Sequence, residues 1–256
     1  MRQAAGRRWQ VLRLAWRTVR TLMVLLVLML LPIGVSALHR GVPDVPWHAA
    51  TRDPTGQAPD PAMERRAVVQ VYIAPAFGWR GIVGVHPWIA VKRADADRWQ
   101  RWEVLGGGGG RVVNDRMAPD AEWFGSRPRL LVDLRGGPEV EALIDRIEAA
   151  VADYPYDGRY AIFPGPNSNT FVAHVGRAVP ELGLDLPANA VGKNWLPWTA
   201  PVARAPSGGG VMVNLGGWAG LLVAPEEGVE VTVFGLSAGV DFRPLDLRLP
   251  GVGGVR

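Results

Sequence analysis

The sequence predicts an α+β protein, in which an N-terminal transmembrane helix precedes a strand-rich domain with an antiparallel sheet and two central helices. Three observations lead to this prediction. An uncharged apolar run covers residues 21–38. Short β-branched segments separated by turn residues occupy both ends of the remaining chain. Two segments with apolar residues at helical spacing lie between those ends.

The apolar run, TLMVLLVLMLLPIGVSAL, predicts a membrane anchor. At ~1.5 Å per residue a helix of this length spans about 27 Å, which is close to the thickness of a bilayer core. Six arginines precede it, so residues 1–20 are expected to stay in the cytoplasm and the domain to lie across the membrane. A cleaved signal peptide is the alternative, because Val35, Ser36 and Ala37 offer a small-residue processing site.

The charge distribution argues against a nucleic-acid partner. Seven of the 28 basic residues precede residue 41, where no acid occurs, so the remaining 21 stand against all 24 acids. Phosphate neutralisation needs a concentrated basic face, which this domain lacks. The chain has no cysteine and four scattered histidines. We therefore expect no thiolate nucleophile, no bound metal and no cofactor.

The segments that follow the anchor predict where the domain begins. Residues 39–66 are rich in Pro, Asp, Ala and Gly and are interpreted as a linker, and residues 67–256 as the exported domain. Runs at 67–74, 81–92 and 98–105 predict an antiparallel meander of three strands. The five glycines at 106–110 predict a connection rather than a phosphate loop, because no Lys-Ser or Lys-Thr follows them.

The central segments predict two helices. A strand at 129–136 is followed by Pro138, which suits a first helical turn, and by an apolar stripe that packs on the sheet: Val140, Leu143, Ile144, Ile147 and Val151. The second helix should run from Ser168 to Ala178, with Asn167 as its N-cap and Pro180 ending it. Segments around 211–215, 220–224, 229–236 and 241–249 predict further strands.

The start of the second helix holds the candidate nucleophile. Ser168 lies in a first turn whose unpaired N–H groups are donors for an oxyanion. His86 lies on the second strand in the apolar setting GVHPWIA and is the candidate general base. If the hairpin turns about Asp95 and Ala96, Trp88 lies opposite Glu103. Glu103 then shares a sheet face with His86 and could orient its imidazole.

A second interpretation of the same residues is structural. Asn167, Ser168 and Asn169 are ordinary residue types for a helix start, and a histidine on an apolar strand is often a hydrogen-bonded core residue. Sequence alone leaves the catalytic and the capping interpretations open.

Two motifs carry a resemblance to known families. NSNTF after a membrane anchor, with VHPWI upstream, is similar to a bacterial membrane-anchored family described as a domain of unknown function. The order of a strand histidine, a polar residue on the next strand and a residue opening a helix resembles the circularly permuted papain-like superfamily, which includes relatives of lecithin:retinol acyltransferase. That resemblance implies a permuted papain-like fold, with His86 as base, Glu103 as third member and Ser168 in the place of a cysteine.

The resemblance and the anchor together suggest a function. We expect a single-pass protein of the bacterial inner membrane whose periplasmic domain is a serine-dependent amide or ester hydrolase or acyltransferase. Its substrate would be a cell-envelope peptide or lipid, contacted by Asn167, Asn169 and Trp88. The alternative is a non-catalytic envelope domain that binds such a component or serves a structural role.

Overall fold

The N-terminal helix is the longest element of the chain. The computed structural model describes residues 2–41, 45–115 and 117–255. Helix α1 (Arg2–Arg40) contains a stretch, Leu12–His39, with a mean hydropathy of 2.5. By length and composition this helix can cross a membrane.

Five antiparallel strands form the first sheet, in the order β4-β3-β2-β1-β5. The predicted three-strand meander at its centre is confirmed. The strands, with the short helix between β1 and β2, are β1 (Ala67–Pro75), α2 (Arg80–Val83), β2 (Val85–Lys92), β3 (Gln100–Val104), β4 (Val112–Asp115) and β5 (Arg129–Gly136).

The prediction of a strand beginning at Gly81 is wrong over its first residues, because Gly81 to Val83 belong to α2. The chain turns tightly here, and a Cβ on Gly81 would lie 2.5 Å from the Ala76 carbonyl oxygen. The Ala76 N–H donates to the Gly84 carbonyl and closes the turn. Ile82 and Val83 are β-branched, so local propensity favours a strand where the tertiary contact imposes a helical turn.

Two helices cover one face of the first sheet, and their predicted bounds are confirmed. They are α3 (Pro138–Ala152) and α4 (Ser168–Ala178). The predicted α3 stripe packs in the core, with Ile144 and Ile147 fully buried. Phe171 and Val175 of α4 are equally buried against Ile89 and other apolar residues of the sheet. This core fixes where the first turn of α4 meets the beginning of β2.

The opposite face of the sheet is covered by aromatic residues and by part of the predicted linker. Tyr72 and Trp88 stack there with ring centroids 5.7 Å apart. The N–H groups of Gln57 and Ala58 donate to the Asp120 carboxylate, 2.6 and 3.2 Å away. The sequence predicts no packing for residues 39–66, because the partners lie about sixty positions further along the chain and no local pattern marks them.

A second, seven-stranded antiparallel sheet forms the C-terminal part of the domain, in the order β12-β11-β10-β9-β8-β7-β6. The predicted strands at 211–215 and 220–224 are confirmed as β7 and β8. The predicted strands at 229–236 and 241–249 each run across a turn, so three strands, β9, β10 and β11, occupy the region where the sequence predicts two. Strands β6 and β12 are additional. The strands are β6 (Val202–Ala203), β7 (Val211–Leu215), β8 (Ala219–Ala224), β9 (Gly228–Val233), β10 (Leu236–Phe242), β11 (Leu245–Leu249) and β12 (Gly253–Val255).

The second sheet buries charge and exposes aliphatic side chains. Its strands β7–β11 carry four charged residues, Glu230, Asp241, Asp246 and Arg248, all on the buried face. Lys193 lies 2.7 Å from Glu230, and Arg248 lies 2.5 Å from Asp185. Buried charges are tolerated when they are paired in this way. The outer face carries Val213, Leu221, Val223, Val231 and Leu247, each between 42% and 50% exposed.

The C-terminal end of α1 packs directly on the domain. The Ser36 hydroxyl donates to the Gly251 carbonyl over 3.3 Å. A Cβ on Gly251 would lie 3.1 Å from Cα of Ile33 and 3.0 Å from the Ile82 carbonyl oxygen, so this glycine is held between α1 and α2. Helix α1 also contacts β10. The domain is therefore seated against the last turns of the apolar helix.

We predict that His174 makes the domain less stable in mild acid. Its imidazole Nε2 lies 3.1 Å from the Ala150 carbonyl and joins α4 to α3. Burial, reinforced by the charge of Arg177, lowers the pKa of His174 below its ordinary value of 6.5. The unfolded chain thus binds the proton more readily, so this stability is present above pH about 6.5 and is lost as pH falls below it toward the lower pKa of the folded state.

Chemical denaturation across this pH range measures the effect. His174→Gln keeps a donor for the Ala150 carbonyl and removes the titration, so its stability should fall less on acidification than that of the parent chain. Parallel losses in the two proteins would contradict the prediction.

Candidate functional site

A cavity of about 710 Å³ lies where β2 begins and α4 starts. Its wall is mostly apolar and is built from α2, the start of β2, the glycine turn after β3 and the segment leading into α4. Of the predicted site residues, four line it: His86, Asn167, Ser168 and Asn169. The charged residues of this wall, within the described chain, are Arg52 and Arg80.

His86 is held by a buried carboxylate. Its Nε2 lies 2.5 Å from Oε2 of Glu103, and both side chains are buried. The observed β2–β3 register pairs Ile89 with Trp102, and its continuation places Trp88 opposite Glu103, as the sequence predicts. Glu103 therefore reaches His86 across one diagonal step of the sheet. The carboxylate fixes the position of the imidazole and favours the tautomer with the proton on Nε2.

A guanidinium group forms an ion pair with the same carboxylate. Arg101 lies 3.0 Å from the second oxygen of Glu103. The same guanidinium is 4.2 Å from the ring centroid of Trp88. The imidazole of His86 stacks on Trp123, with centroids 3.8 Å apart and planes 10° apart. Aromatic rings and a paired cation thus leave the His86–Glu103 unit little freedom to move.

Asn167 caps α4 as predicted, and its side chain engages backbone N–H groups of the first turn. Its side-chain oxygen accepts from the N–H groups of Asn169 and Thr170, at 3.0 and 3.3 Å, and the Thr170 hydroxyl accepts from the N–H of Asn167. The sequence predicts several first-turn N–H groups available to an oxyanion, and the structure corrects this. The N–H groups of Asn169 and Thr170 are engaged, which leaves that of Ser168 as the first-turn donor.

Asn169 connects the start of α4 to the start of β2. Its side-chain amide donates to the Val85 carbonyl at 3.1 Å and to the Val191 carbonyl at 2.9 Å. The residue after Ser168 is therefore hydrogen-bonded to the residue before His86. In the described chain the Asn169 side-chain oxygen is buried without a hydrogen-bond partner. The Asn169 side chain therefore fixes the first turn of α4, which carries Ser168, relative to the start of β2, which carries His86.

Ser168 and His86 reach the cavity from two sides of β2. Alternation along the strand directs Val85 and Ile89 toward α4, whereas His86 and Trp88 lie on the face of Trp123. The described ladder between β2 and β3 pairs residues 89–91 with 100–102, and the cavity lies beyond it. Both side chains border this space at the open end of the hairpin.

Trp88, which the sequence suggests as a binding residue, does not line the cavity. It is fully buried, its Nε1 donates to the Pro119 carbonyl at 2.7 Å, and it lies between Tyr72 and Arg101. Trp88 lies two residues after His86 on the same face of the sheet, where Pro119 and Trp123 cover it. Trp88 supports the site from below and has no surface for a ligand.

Sequence reasoning missed Tyr160. This residue lines the cavity, and its hydroxyl interacts with that of Ser168. Burial raises the pKa of Tyr160 above its ordinary value, and the hydrogen bond with Ser168 and the charge of Arg80 only partly offset that rise. The phenol therefore keeps its proton at neutral pH and can donate a hydrogen bond. A tyrosine eight residues before Ser168, ahead of two prolines, was the available signal.

We predict that Glu103 contributes more to the free energy of unfolding than an exposed carboxylate does. Glu103→Ala leaves Arg101 buried without this partner and should lower the free energy of unfolding by roughly 3–5 kcal/mol. The matched control, Asp145→Ala, removes a surface partner of Arg93 and should cost less than about 1 kcal/mol. Urea denaturation measures the loss of unfolding free energy in both variants. Similar losses would show that the buried network contributes no more stability than the surface pair.

A search of curated proteins and a search of solved structures each found nothing similar. A protein-family model described as "Protein of unknown function (DUF3750)" matches residues 66–195, which span the first sheet, both central helices and every predicted site residue. Because this match covers half of the chain, the protein belongs to the DUF3750 family.

Proposed function

We propose that the domain catalyses acyl transfer, as a serine-dependent ester or amide hydrolase or acyltransferase. The observation that carries the proposal is the Asn169 bridge, which ties the helix start of Ser168 to the strand residue before His86. Ser168 therefore lines the same cavity as an imidazole held by a buried carboxylate. An imidazole oriented in this way is suited to accept a proton from an alcohol. Ser168, His86 and Glu103 would act as nucleophile, base and orienter.

The proposed reaction takes two steps. Ser168 Oγ bonds to the carbonyl carbon of the substrate, and its proton passes to Nδ1 of His86. Collapse of the intermediate breaks the carbon–oxygen or carbon–nitrogen bond, and the leaving group takes that proton. Water or an acceptor alcohol or amine then attacks the acyl-serine and gives a proton to His86. The acyl product leaves as Ser168 recovers this proton.

The negative oxygen formed in each step needs donors. The Ser168 N–H is one, because Asn167 does not engage it. The Tyr160 hydroxyl is the second, since it lies beside Ser168 and keeps its proton at neutral pH. A pair of donors of this kind is the usual requirement for an oxyanion.

The fold and location follow from the same proposal. We infer a circularly permuted papain-like arrangement, which the order of His86 on β2, Glu103 on β3 and Ser168 at α4 supports. Helix α1 would cross the bacterial inner membrane once, with its arginine-rich end in the cytoplasm and the domain in the periplasm. The contacts of Ser36 and Ile33 with Gly251 favour an uncleaved anchor over removal after Ala37.

A second candidate function is binding without catalysis, and a specific observation favours it. The Asn167 cap engages two N–H groups of the first turn, and the Ser168 hydroxyl is directed to Tyr160. In that case Ser168 would be a polar wall of a binding cavity. The two experiments below separate these functions.

Covalent labelling tests the nucleophile. A fluorophosphonate probe should label Ser168 in the folded chain, and Ser168→Ala should abolish the label, while the control Ser126→Ala retains it. His86→Asn should slow labelling roughly a hundredfold or more, because the base is lost. Intact-mass and peptide mass spectrometry identify the site. A folded chain that does not react at Ser168 would leave only the binding function.

Tyr160→Phe tests the oxyanion donors. Removing one such donor typically lowers kcat by roughly 10²–10³-fold with little change in KM. With a panel of acyl esters as substrates, we expect that pattern. An unchanged kcat in Tyr160→Phe would exclude Tyr160 from the oxyanion site.

A further inference from the structure

The cavity lies beside the C-terminal end of the apolar helix. Its wall includes Arg80 and Val83 of α2, and the same short helix meets α1 through Gly251. Leu236 at the start of β10 also lines the cavity, and α1 contacts that strand. Ile33 and Ser36, which make these contacts, lie within the apolar stretch of α1. The cavity is therefore close to the depth at which α1 leaves a bilayer.

Exposed aromatic and apolar side chains surround this part of the domain. Trp79, Ile162 and Phe163 line the cavity and are 59%, 51% and 43% exposed. Phe163 contacts Trp218, which contacts Phe234, with ring centroids 6.0 and 5.8 Å apart. Trp218 and Phe234 are 47% and 57% exposed and lie in turns of the second sheet. We call these five residues the apolar rim.

The Arg, Lys, Asp and Glu side chains that line the cavity, among the described residues, are two arginines. Arg52 lies 4.3 Å from the ring centroid of Phe124 and Arg80 lies 5.7 Å from that of Trp79. Among the described residues, neither arginine forms an ion pair with a carboxylate, and no Asp or Glu lines the cavity. An apolar space with two unopposed cations at its wall suits a ligand that combines an acyl chain with an anionic group.

We propose that the apolar rim lies in the bilayer surface beside α1 and that the cavity takes up an anionic phospholipid directly from that membrane. Aromatic side chains are favoured at the membrane interface, and arginines there attract anionic headgroups. The acyl chain would occupy the apolar wall, with the phosphate near Arg52 and Arg80. The inference rests on the proposed function only in assigning the substrate class to the same cavity.

Spin labelling tests where the rim lies. The chain has no cysteine, so single cysteines can be introduced into the full-length protein in phospholipid vesicles. Labels at Trp79→Cys and Trp218→Cys should collide with oxygen and be shielded from a water-soluble nickel complex, like a label at Leu28→Cys in α1. A label at Asp97→Cys in the β2–β3 turn is the aqueous control. Rim labels that behave like Asp97→Cys, or that neither reagent reaches, overturn the proposal.

Photocrosslinking tests the ligand. Full-length Ser168→Ala in vesicles is exposed to phosphatidylglycerol or phosphatidylcholine that carries a photoreactive acyl chain. Phosphatidylglycerol should crosslink preferentially to peptides of the cavity wall. Arg52→Gln and Arg80→Gln should each lower its capture roughly fivefold, whereas Arg98→Gln, at an exposed turn position, should not. Equal capture of both lipids, or none in the cavity, overturns the proposal.

The fluorophosphonate labelling and the lipid-capture experiment can fail independently of each other. Lipid capture by Ser168→Ala does not require chemistry, so failure of fluorophosphonate labelling with intact capture would remove the acyl-transfer function and leave lipid binding. Labelling at Ser168 without lipid capture would remove the lipid assignment and leave the acyl-transfer function.

Discussion

The Glu103 carboxylate is buried between an imidazole and a guanidinium, with Nε2 of His86 at 2.5 Å and the Arg101 guanidinium at 3.0 Å. A carboxylate without such partners would be costly to bury, so the arrangement of the three groups is interdependent. Arg101 is in turn covered by Trp88, and His86 by Trp123. The position of the imidazole on the cavity wall follows from this network, and the proposed chemistry follows from that position.

A second constraint brings the helix start to the same place. The Asn167 cap determines where α4 begins, and the Asn169 amide ties that first turn to Val85. The cap also limits the chemistry, because it uses two of the N–H groups that an oxyanion would otherwise find. The Ser168 N–H is then the first-turn backbone donor left for an oxyanion, and the Tyr160 hydroxyl, which interacts with Ser168, is the second donor in the proposed mechanism.

The sequence predicted the elements whose signals are local. Asn167 and Pro180 mark the ends of α4, and the alternation around Asp95 and Ala96 gives the register that places Glu103 near His86. Contacts distant in sequence could not be predicted. Nothing near Gly81 indicates that Ala76 forces a helical turn, and nothing near Asp120 indicates that Gln57 and Ala58 bind it. Strand parity predicts the face on which Trp88 lies but not what covers it, so the sequence suggests a ligand contact where the structure has a fully buried side chain.

The proposed proton transfer from the Ser168 hydroxyl to Nδ1 of His86 is the central claim, and ¹⁵N NMR of the histidine imidazoles tests it most directly. The chain has four histidines, so His86→Gln identifies the resonances. We predict an Nδ1 resonance of His86 that shifts in Ser168→Ala and again when Ser168 carries a phosphonyl group. An Nδ1 resonance that is identical in the parent chain and in Ser168→Ala would contradict it.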